Sequence, residues 1–281
     1  MSGIIDFHTH AFPDELAARA IPFLEEEGNV KAWLDGTTTD LLRSMDRAGI
    51  EQSVICSIAT RPQQFRSILD WSRSIRSERL LPLPSVHPES EQLSDEIRQV
   101  AEAGFPGIKL HPYYQNFALD EERLTPLYEA LLRHDLLVVM HTGFDIAYPR
   151  DPLCDPSRIR KVVERFPELK LITTHLGAWD HWEESRRLLI GRPIYMEISF
   201  ALDFLDRETA RQMITSHPAD YLLFGSDSPW ADQHAALEML RGLDLEPELF
   251  AKITRDNAIR LLSAVDRRST PLCSHPSNIP S

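Results

Sequence analysis

The first residues of the chain that could do chemistry are two histidines, His8 and His10, in the segment Ile-Ile-Asp-Phe-His-Thr-His. On a β-strand the side chains alternate between the two faces, so residues two apart point the same way. Two imidazoles aimed at one point make half of a metal site. Alone, the pair also fits two surface histidines at a frayed chain end, so the rest of the sequence has to decide.

Further polar residues of this kind lie at the ends of short apolar runs. Lys109 and His111 belong to one run, His141 and His175 end two others, and Asp227 lies in the last. If the runs are strands of a barrel, these residues meet at one face, where active sites lie. Four histidines and one carboxylate at strand ends fit a divalent cation, with Zn²⁺ expected and Mn²⁺, Fe²⁺, Co²⁺ or Ni²⁺ as alternatives.

The elements that would position these residues are eight apolar runs rich in β-branched residues. They cover residues 4–10, 53–59, 80–88, 107–112, 136–143, 171–177, 193–199 and 221–229. Such runs are typical of buried parallel strands. Helical patterns lie between them, as in 155–167, where Asp155 suits the N-cap and Pro156 the first helical position. Strands alternating with helices predict the α/β class, as a (β/α)₈ TIM barrel.

The predicted barrel occupies residues 1–265 as one catalytic domain. A doubly wound open sheet is the alternative, but no glycine-rich phosphate loop follows the first run. Residues 11–38 form a long excursion, which could be a lid over the site or a helical decoration. Residues 266–281 are rich in proline and serine and are predicted to be a disordered tail.

The composition limits which binding partners and which cellular location are expected. The 281 residues carry a formal net charge of −13, which argues against nucleic acid and anionic membranes as partners. The three cysteines are widely spaced and form no CxxC pair, so neither a disulfide framework nor a cysteine zinc site is expected. With no signal-peptide pattern and no apolar run of about 18 residues, a cytoplasmic enzyme with a small-molecule substrate is expected.

Five short motifs together resemble the amidohydrolase superfamily, and more narrowly its amidohydrolase-related branch. They are HTH (8–10), GIKLHP (107–112), HTG (141–143), HLG (175–177) and FGSDSPW (224–230). That branch includes aminocarboxymuconate-semialdehyde decarboxylase, related aromatic-acid decarboxylases and many hydrolases. The resemblance runs from Ile4 to about Leu262. It implies a metal-dependent barrel enzyme with one or two ions, and a homodimer is an expectation of the family only.

The resemblance assigns roles to individual residues. His8 and His10 match the metal ligands of strand 1, and His141 matches the ligand of strand 5. Asp227 matches an aspartate that binds metal and orients or deprotonates the attacking water. His175 matches a histidine that binds a second metal in members with two ions, and acts on the substrate or water in members with one.

Lys109 is open to three interpretations. Some members with two ions carry a strand 4 lysine whose amine is carboxylated and bridges the metals. Lys109 could instead be an ammonium that binds a substrate carboxylate, or one that pairs with Asp227. His111 is a candidate substrate contact, with a supporting hydrogen bond as the alternative, and Trp230 is a candidate wall of the pocket.

Three functions follow as hypotheses. The first is a metal-dependent hydrolase that cleaves a small amide, lactone or ester with an activated water, Asp227 moving the proton and His175 stabilising the oxyanion. The second is a metal-dependent, non-oxidative decarboxylase of an aromatic or unsaturated acid. The third is a barrel without catalytic activity, which the filled ligand positions disfavour.

Overall fold

Eight parallel strands form the centre of the molecule. The structure is a computed structural model that describes residues 3–266 of the chain. The strands are β1 (Ile4–Thr9), β2 (Ile50–Cys56), β3 (Leu80–Leu83), β4 (Gly107–Leu110), β5 (Leu137–Met140), β6 (Leu171–Thr173), β7 (Tyr195–Glu197) and β8 (Leu222–Leu223). They pair in sequence order, β1 to β3 in one sheet and β4 to β8 in another. The fold is the predicted (β/α)₈ barrel.

Backbone hydrogen bonds join the two sheets into a ring. Between β3 and β4, the Lys109 N–H donates to the Pro84 carbonyl at 3.0 Å. Between β8 and β1, the Phe7 N–H donates to the Phe224 carbonyl at 2.8 Å, and the Asp227 N–H donates to the His8 carbonyl at 2.8 Å. Because these bonds close the ring, the carboxyl ends of β1 and β8 lie side by side.

Helices follow the strands around the outside. Within residues 3–266 they are α1 (Asp14–Gly28), α2 (Thr38–Ala48), α3 (Phe65–Ile75), α4 (Leu93–Glu102), α5 (Pro112–Gln115), α6 (Thr125–Arg133), α7 (Pro156–Arg165), α8 (Trp182–Leu188), α9 (Ala201–Phe204), α10 (Arg207–Ser216), α11 (Gln233–Arg241), α12 (Pro247–Ala251) and α13 (Asn257–Asp266). A π-helical segment, Lys252–Asp256, joins α12 to α13. None of these helices has the length and apolarity needed to cross a membrane.

Capping explains where several of the helices begin. At α7, the Asp155 carboxylate accepts hydrogen bonds from the Ser157 and Arg158 N–H groups, and Pro156 occupies the first position, as the sequence predicts. At α2, the Thr37 hydroxyl accepts a bond from the Asp40 N–H, and Gly49 ends the helix in the left-handed conformation. These local signals fix the helix ends and therefore the loops that follow the strands.

Buried apolar side chains pack in two layers. Residues that point into the barrel form the inner layer, closed at its lower end by Ala258 and Leu261 of α13. Its strand members are Ile5, Phe7, Val54, Cys56, Leu83, Leu137, Val139, Ile172 and Leu223. A larger outer layer lies between the strands and the helices. The barrel is therefore a packed core, and open space is left only at its upper, carboxyl end.

The strands are shorter than the predicted runs, and the excursion is mostly helical. Strand β8, for example, covers Leu222–Leu223 where the run covers 221–229. The polar ends of several runs are loops in which backbone N–H groups donate to side chains of neighbouring segments instead of to a strand, as those of Thr142 and Ser226 donate to Thr174 and Asp6. Residues 11–38 contain α1, which covers the upper end of the barrel. The predicted tail, 266–281, lies outside the described residues except for Asp266.

A buried carboxylate, that of Asp6, ties β1 to the segment that follows β8. Asp6 Oδ1 accepts hydrogen bonds from the His8 N–H at 3.2 Å and the Ser226 N–H at 3.0 Å. Asp6 Oδ2 accepts from Ser226 Oγ at 2.6 Å and from Gln233 Nε2 of α11 at 2.8 Å. Burial raises the pKa of Asp6 to about 6, although the Ser226 and Gln233 hydrogen bonds work against that rise. One side chain thus satisfies donors from three elements.

Replacing Asp6 with alanine should destabilise the barrel where it closes. Asp6→Ala leaves buried N–H donors without an acceptor, so we expect the free energy of unfolding to fall by about 2–4 kcal/mol. Asp6→Asn should cost less, because Gln233 can turn its unpartnered Oε1 toward the new amide. Urea denaturation measures both values. Asp46→Ala, which removes an exposed partner of Arg79, is the control and should change the value by less than about 0.5 kcal/mol. An Asp6→Ala loss as small as the control's would contradict this account.

Candidate metal centre

Three side chains from β1 and the loop after β8 converge at the upper end of the barrel. The Nε2 atoms of His8 and His10 lie 3.1 Å apart. Asp227 Oδ1 lies 3.3 Å from His8 Nε2 and 3.1 Å from His10 Nε2. His8 and His10 share a face of β1, as the alternation of a strand predicts. These three residues form a first group of candidate metal-ligand atoms, the first donor group.

Two further histidines lie beside the first group, after β5 and β6. His141 Nδ1 lies 3.3 Å from His175 Nε2, and the rings of His8 and His175 are 5.8 Å apart between centroids. Lys109 reaches in from β4 and places Nζ 3.1 Å from His8 Nε2. All of the predicted ligands therefore meet in one place, although they come from five different strands.

Hydrogen bonds on the far side of each ring determine which nitrogen faces the centre. His8 Nδ1 lies 3.0 Å from Glu197 Oε1, His10 Nδ1 lies 2.7 Å from the Cys56 carbonyl and His175 Nδ1 lies 3.0 Å from the Ser199 carbonyl. Carboxylate and carbonyl oxygens only accept, so each Nδ1 carries the proton and each Nε2 keeps its lone pair. His141 is reversed: its Nε2 lies 3.1 Å from the Phe144 carbonyl, which leaves Nδ1 with the lone pair.

Burial favours the neutral form of two of these rings. It lowers the pKa of His8 and of His141 well below the ordinary value, and the charge of Lys109 lowers that of His8 further. The Asp227 carboxylate lies against the rings of His8 and His10. The centre therefore offers the neutral imidazoles of His8 and His141 together with a carboxylate.

The acceptor atoms face one another, which is costly without a cation. Lone pairs meet between His10 Nε2 and Asp227 Oδ1 at 3.1 Å, and between His141 Nδ1 and His175 Nε2 at 3.3 Å, whereas His8 Nε2 can accept from Lys109 Nζ at 3.1 Å. Buried acceptors without a donor between them are unfavourable. Neutral imidazole nitrogens and a carboxylate oxygen are the ligands that borderline divalent cations prefer. The donor set therefore fits the cation that the sequence predicts.

Glu197 of β7 holds two of the histidines in position. Its Oε1 accepts hydrogen bonds from His8 Nδ1 at 3.0 Å, from the His175 N–H at 3.1 Å and from Ser199 Oγ at 2.8 Å. Its Oε2 accepts from the Ser199 N–H at 2.7 Å. The side chain is fully buried. Sequence alternation leaves the direction of Glu197 undecided; the structure turns it toward the centre.

Unusual backbone conformations present His175 and Asp227. His175, Leu176 and Gly177 have successive φ values of 59°, 55° and 100°, and Asp227 has φ 64°. Non-glycine residues seldom adopt this left-handed region, and a surrounding structure must hold them there. At His175 two bonds do so: the carbonyl accepts from Trp182 Nε1 at 2.9 Å, and the next N–H donates to the Glu197 carbonyl at 2.8 Å.

The Lys109 amine is buried and lacks a carboxylate partner. The residue has no exposed surface, and its Nζ forms no ion pair within residues 3–266. The predicted alternative in which Lys109 pairs with Asp227 is therefore not what the structure shows. A buried ammonium that no carboxylate contacts directly is unfavourable. The amine needs either a different chemical form or an anion beside it.

The candidate substrate residues lie above these ligands. The His111 ring stacks on the His141 ring, with centroids 4.0 Å apart, and His111 Nε2 lies 3.3 Å from Asp145 Oδ2. His111, His141 and Asp145 thus form a second group of donor atoms within 4.8 Å of one another. Trp230 follows Asp227 in a tight turn, its N–H donating to the Asp227 carbonyl at 3.0 Å. All eight predicted site residues line the same cavity.

The supporting residues were harder to find from the sequence. Ser199 and Asp6 give no recognisable signal, because a buried serine or aspartate in a short run resembles an ordinary loop residue. The cavity face of α1 had a signal in the spacing of Leu16, Ala20, Phe23 and Leu24. That spacing is typical of one helix face.

Comparison with known proteins identifies the family. The family model described as Amidohydrolase matches residues 5–263. The chain belongs to this amidohydrolase family, and it is a metal-dependent enzyme of that superfamily for which a divalent cation is expected. The resemblance read from the five motifs is therefore confirmed.

One curated relative is a dihydroorotase from Pseudomonas fluorescens (strain Pf0-1). It is 26% identical over 161 residues, which are 53% of this chain and 46% of the relative. The chain therefore matches less than half of the length of that relative.

Solved structures share the fold over nearly the whole chain. An uncharacterised TIM-barrel protein from Bordetella bronchiseptica has a TM-score of 0.75 at 22% identity, covering 94% of this chain and 99% of its own. A 5-carboxyvanillate decarboxylase from Sphingomonas paucimobilis has a TM-score of 0.70 at 14% identity, with the same coverage. A protein assigned as a 2-pyrone-4,6-dicarboxylic acid hydrolase from Pseudomonas putida has a TM-score of 0.65 at 18% identity, covering 94% and 98%. At these identities the likeness shows the fold alone.

The position of Glu197 predicts an effect on metal affinity. Glu197→Gln sets an amide N–H against one of its donors, so His8 and His175 lose their fixed orientation. We expect affinity for Zn²⁺ or Mn²⁺ to fall about 10–100-fold. Competition with a chelator measures the affinity, and circular dichroism shows whether the variant is folded.

The matched control is Glu238→Gln on α11, where the side chain is exposed and pairs with Arg241. It should leave the affinity unchanged. A folded Glu197→Gln protein with wild-type metal affinity would show that the hydrogen bonds to His8 and His175 do not position them for a cation.

Proposed function

We propose that this enzyme is a hydrolase that cleaves a small amide, lactone or ester at a centre of two divalent cations. The observation that carries the proposal is the buried Lys109 amine, 3.1 Å from His8 Nε2 and without an ion pair among the described residues. Reaction of that amine with carbon dioxide gives a carbamate and releases a proton. The carbamate is an anion with two oxygen donors, so it removes the unpaired cation and adds ligands to the centre.

The ligands divide into two groups on this proposal. His8, His10 and Asp227 would hold one cation, and His141 and His175 the other, with the carboxylated Lys109 shared between them. Each group supplies the facing acceptor atoms that a cation satisfies. Zn²⁺ is the proposed ion, and Mn²⁺, Fe²⁺, Co²⁺ and Ni²⁺ accept the same donors.

The residues of the chain divide the remaining work. When bound, the cations would lower the pKa of a water molecule and polarise a carbonyl oxygen. Asp227, ionised and at the edge of the cavity, would accept the proton of the attacking water and pass it to the leaving group. His111 and Trp230 would contact the substrate from above. If only one cation binds, His175 could stabilise the developing oxyanion once Nε2, the nitrogen that faces the centre, carries a proton.

The alternative is a decarboxylase with one cation, for an aromatic or unsaturated acid. The shared fold with a 5-carboxyvanillate decarboxylase supports this alternative. A single cation would not need a bridging lysine, however, and would leave the buried amine unexplained. The number of cations per chain therefore separates the two functions.

Metal analysis of the wild type and Lys109→Ala tests the proposal. Both are purified without chelator and with ¹³C-bicarbonate present. We expect two cations per wild-type chain, a carbamate carbon signal in the ¹³C NMR spectrum, and loss of both the signal and one cation in Lys109→Ala. Hydrolysis of an amide, lactone and ester panel should fall by at least about 100-fold in the variant.

The matched control is Lys161→Ala, which removes an exposed lysine that pairs with Asp120 on the outer surface. It should keep the cation content, the carbamate signal and the activity of the wild type. One cation in both the wild type and Lys109→Ala, with no carbamate signal, would overturn the proposal. Release of carbon dioxide from aromatic acids by such a protein would establish the decarboxylase.

A further inference from the structure

A cavity of about 750 Å³ lies above the metal ligands and under α1. Its size is within the usual range for small-molecule sites. His8, Asp227 and the other ligands line its floor, and apolar side chains line most of its walls. The chemistry of these walls, as distinct from the floor, limits which molecules can place a carbonyl group over the ligands.

One wall is the cavity face of α1. Leu16, Ala20, Phe23 and Leu24 line the cavity. Their spacing of four, three and one residues puts them on a single helix face. The other face of α1 is already packed, with Ala17 and Ile21 buried. Leu16 and Phe23 keep 43% and 60% of their surface exposed, so this face has apolar area to offer to a ligand.

Other walls of the cavity are also apolar. Ile68 and Trp71 of α3 line one side, and Ile146 and Tyr148 of the loop after β5 line another. Ile146 is itself 45% exposed. A ligand that fills this space would remove apolar surface from water on several sides, which favours an apolar group.

The charged residues around the cavity make its walls unfavourable for an anionic group of a substrate. Lys109 is the one lysine or arginine among the described residues that line the cavity, and it lies on the floor beside His8. Glu27 and Asp145 add carboxylates to the lining. Arg150, in the loop after β5, is turned away: it pairs with Asp180, and its guanidinium carbon lies 4.1 Å from the centroid of the Phe144 ring. The other polar side chains of the lining, such as Ser57, Thr60, Gln64 and Ser67, are uncharged, so a substrate anion would meet no cation away from the floor.

We propose that the substrate is uncharged away from its reacting carbonyl and carries an apolar, aromatic or branched group that packs beneath α1. This inference rests on the proposed hydrolase and narrows its substrate to neutral amides, lactones or esters of that kind. Molecules with a second, anionic group are rejected by the walls. Such a group would lose its hydration and find no cation to replace it.

Binding of two isosteric ketones tests the inference without relying on catalysis. The probes are 4-tert-butylacetophenone, whose three methyl groups match the three sulfonate oxygens in shape, and 4-acetylbenzenesulfonate; neither can be hydrolysed, and the sulfonate is a weak metal ligand. Titration calorimetry on the metal-loaded protein measures both affinities. We expect the neutral ketone to bind at least about tenfold more tightly, because the sulfonate has to be desolvated among apolar and acidic side chains.

Two variants place a cation in the wall and should change the preference. Leu16→Arg and Phe23→Arg, both at exposed positions, should each bring the affinity ratio close to one or reverse it. The control is Ile259→Arg on α13, a residue that is 40% exposed and does not line the cavity. It should keep the wild-type ratio.

Equal or tighter binding of the sulfonate by the wild type would overturn the inference, as would failure of the wild type to bind either ketone. So would an unchanged ratio in both arginine variants. The hydrolase proposal is tested separately: a wild type that prefers the neutral ketone but cleaves no neutral amide, lactone or ester would refute the hydrolysis and leave the assignment of the cavity standing.

Discussion

The structure depends on the closure of the barrel between its last strand and its first. Two backbone hydrogen bonds, from Phe7 to Phe224 and from Asp227 to His8, and the Asp6 carboxylate join β1 to the segment that follows β8. Because the ring closes there, His8 and His10 meet Asp227, which is distant in sequence. The other ligands come from strands whose order around the ring is then fixed. The centre is thus a product of the topology, and no single segment of the chain contains it.

Closure brings the ligands together, but it does not orient them. Each histidine is oriented by an acceptor behind its ring: Glu197 for His8, and backbone carbonyls for His10, His141 and His175. These acceptors determine which nitrogen carries the proton, and burial favours the neutral form of His8 and His141. The same packing leaves the buried Lys109 amine without a direct carboxylate partner. The polar centre and its apolar surroundings therefore account together for the chemistry we propose.

The ligand positions could be predicted from the sequence because each lies at the end of an apolar run, and the barrel brings all such ends to one face. The exact strand lengths could not be predicted, because backbone N–H groups near the strand ends donate to side chains and not to a neighbouring strand. The direction of Glu197 depends on its tertiary partners, and the left-handed backbone at His175 depends on Trp182 and β7. The absence of an ion pair at Lys109 is likewise a property of the packed structure.

The hydrogen bonds between Asp6 and Ser226 also indicate when the centre can form during synthesis of the chain. The two residues are 220 positions apart, so at about 5–20 residues per second a ribosome needs on the order of ten to forty seconds between making one and the other. During that interval His8 and His10 have no Asp227 to meet. Capture of a cation by the complete first donor group is therefore confined to the last stage of synthesis or after it, when most of the barrel has already been made.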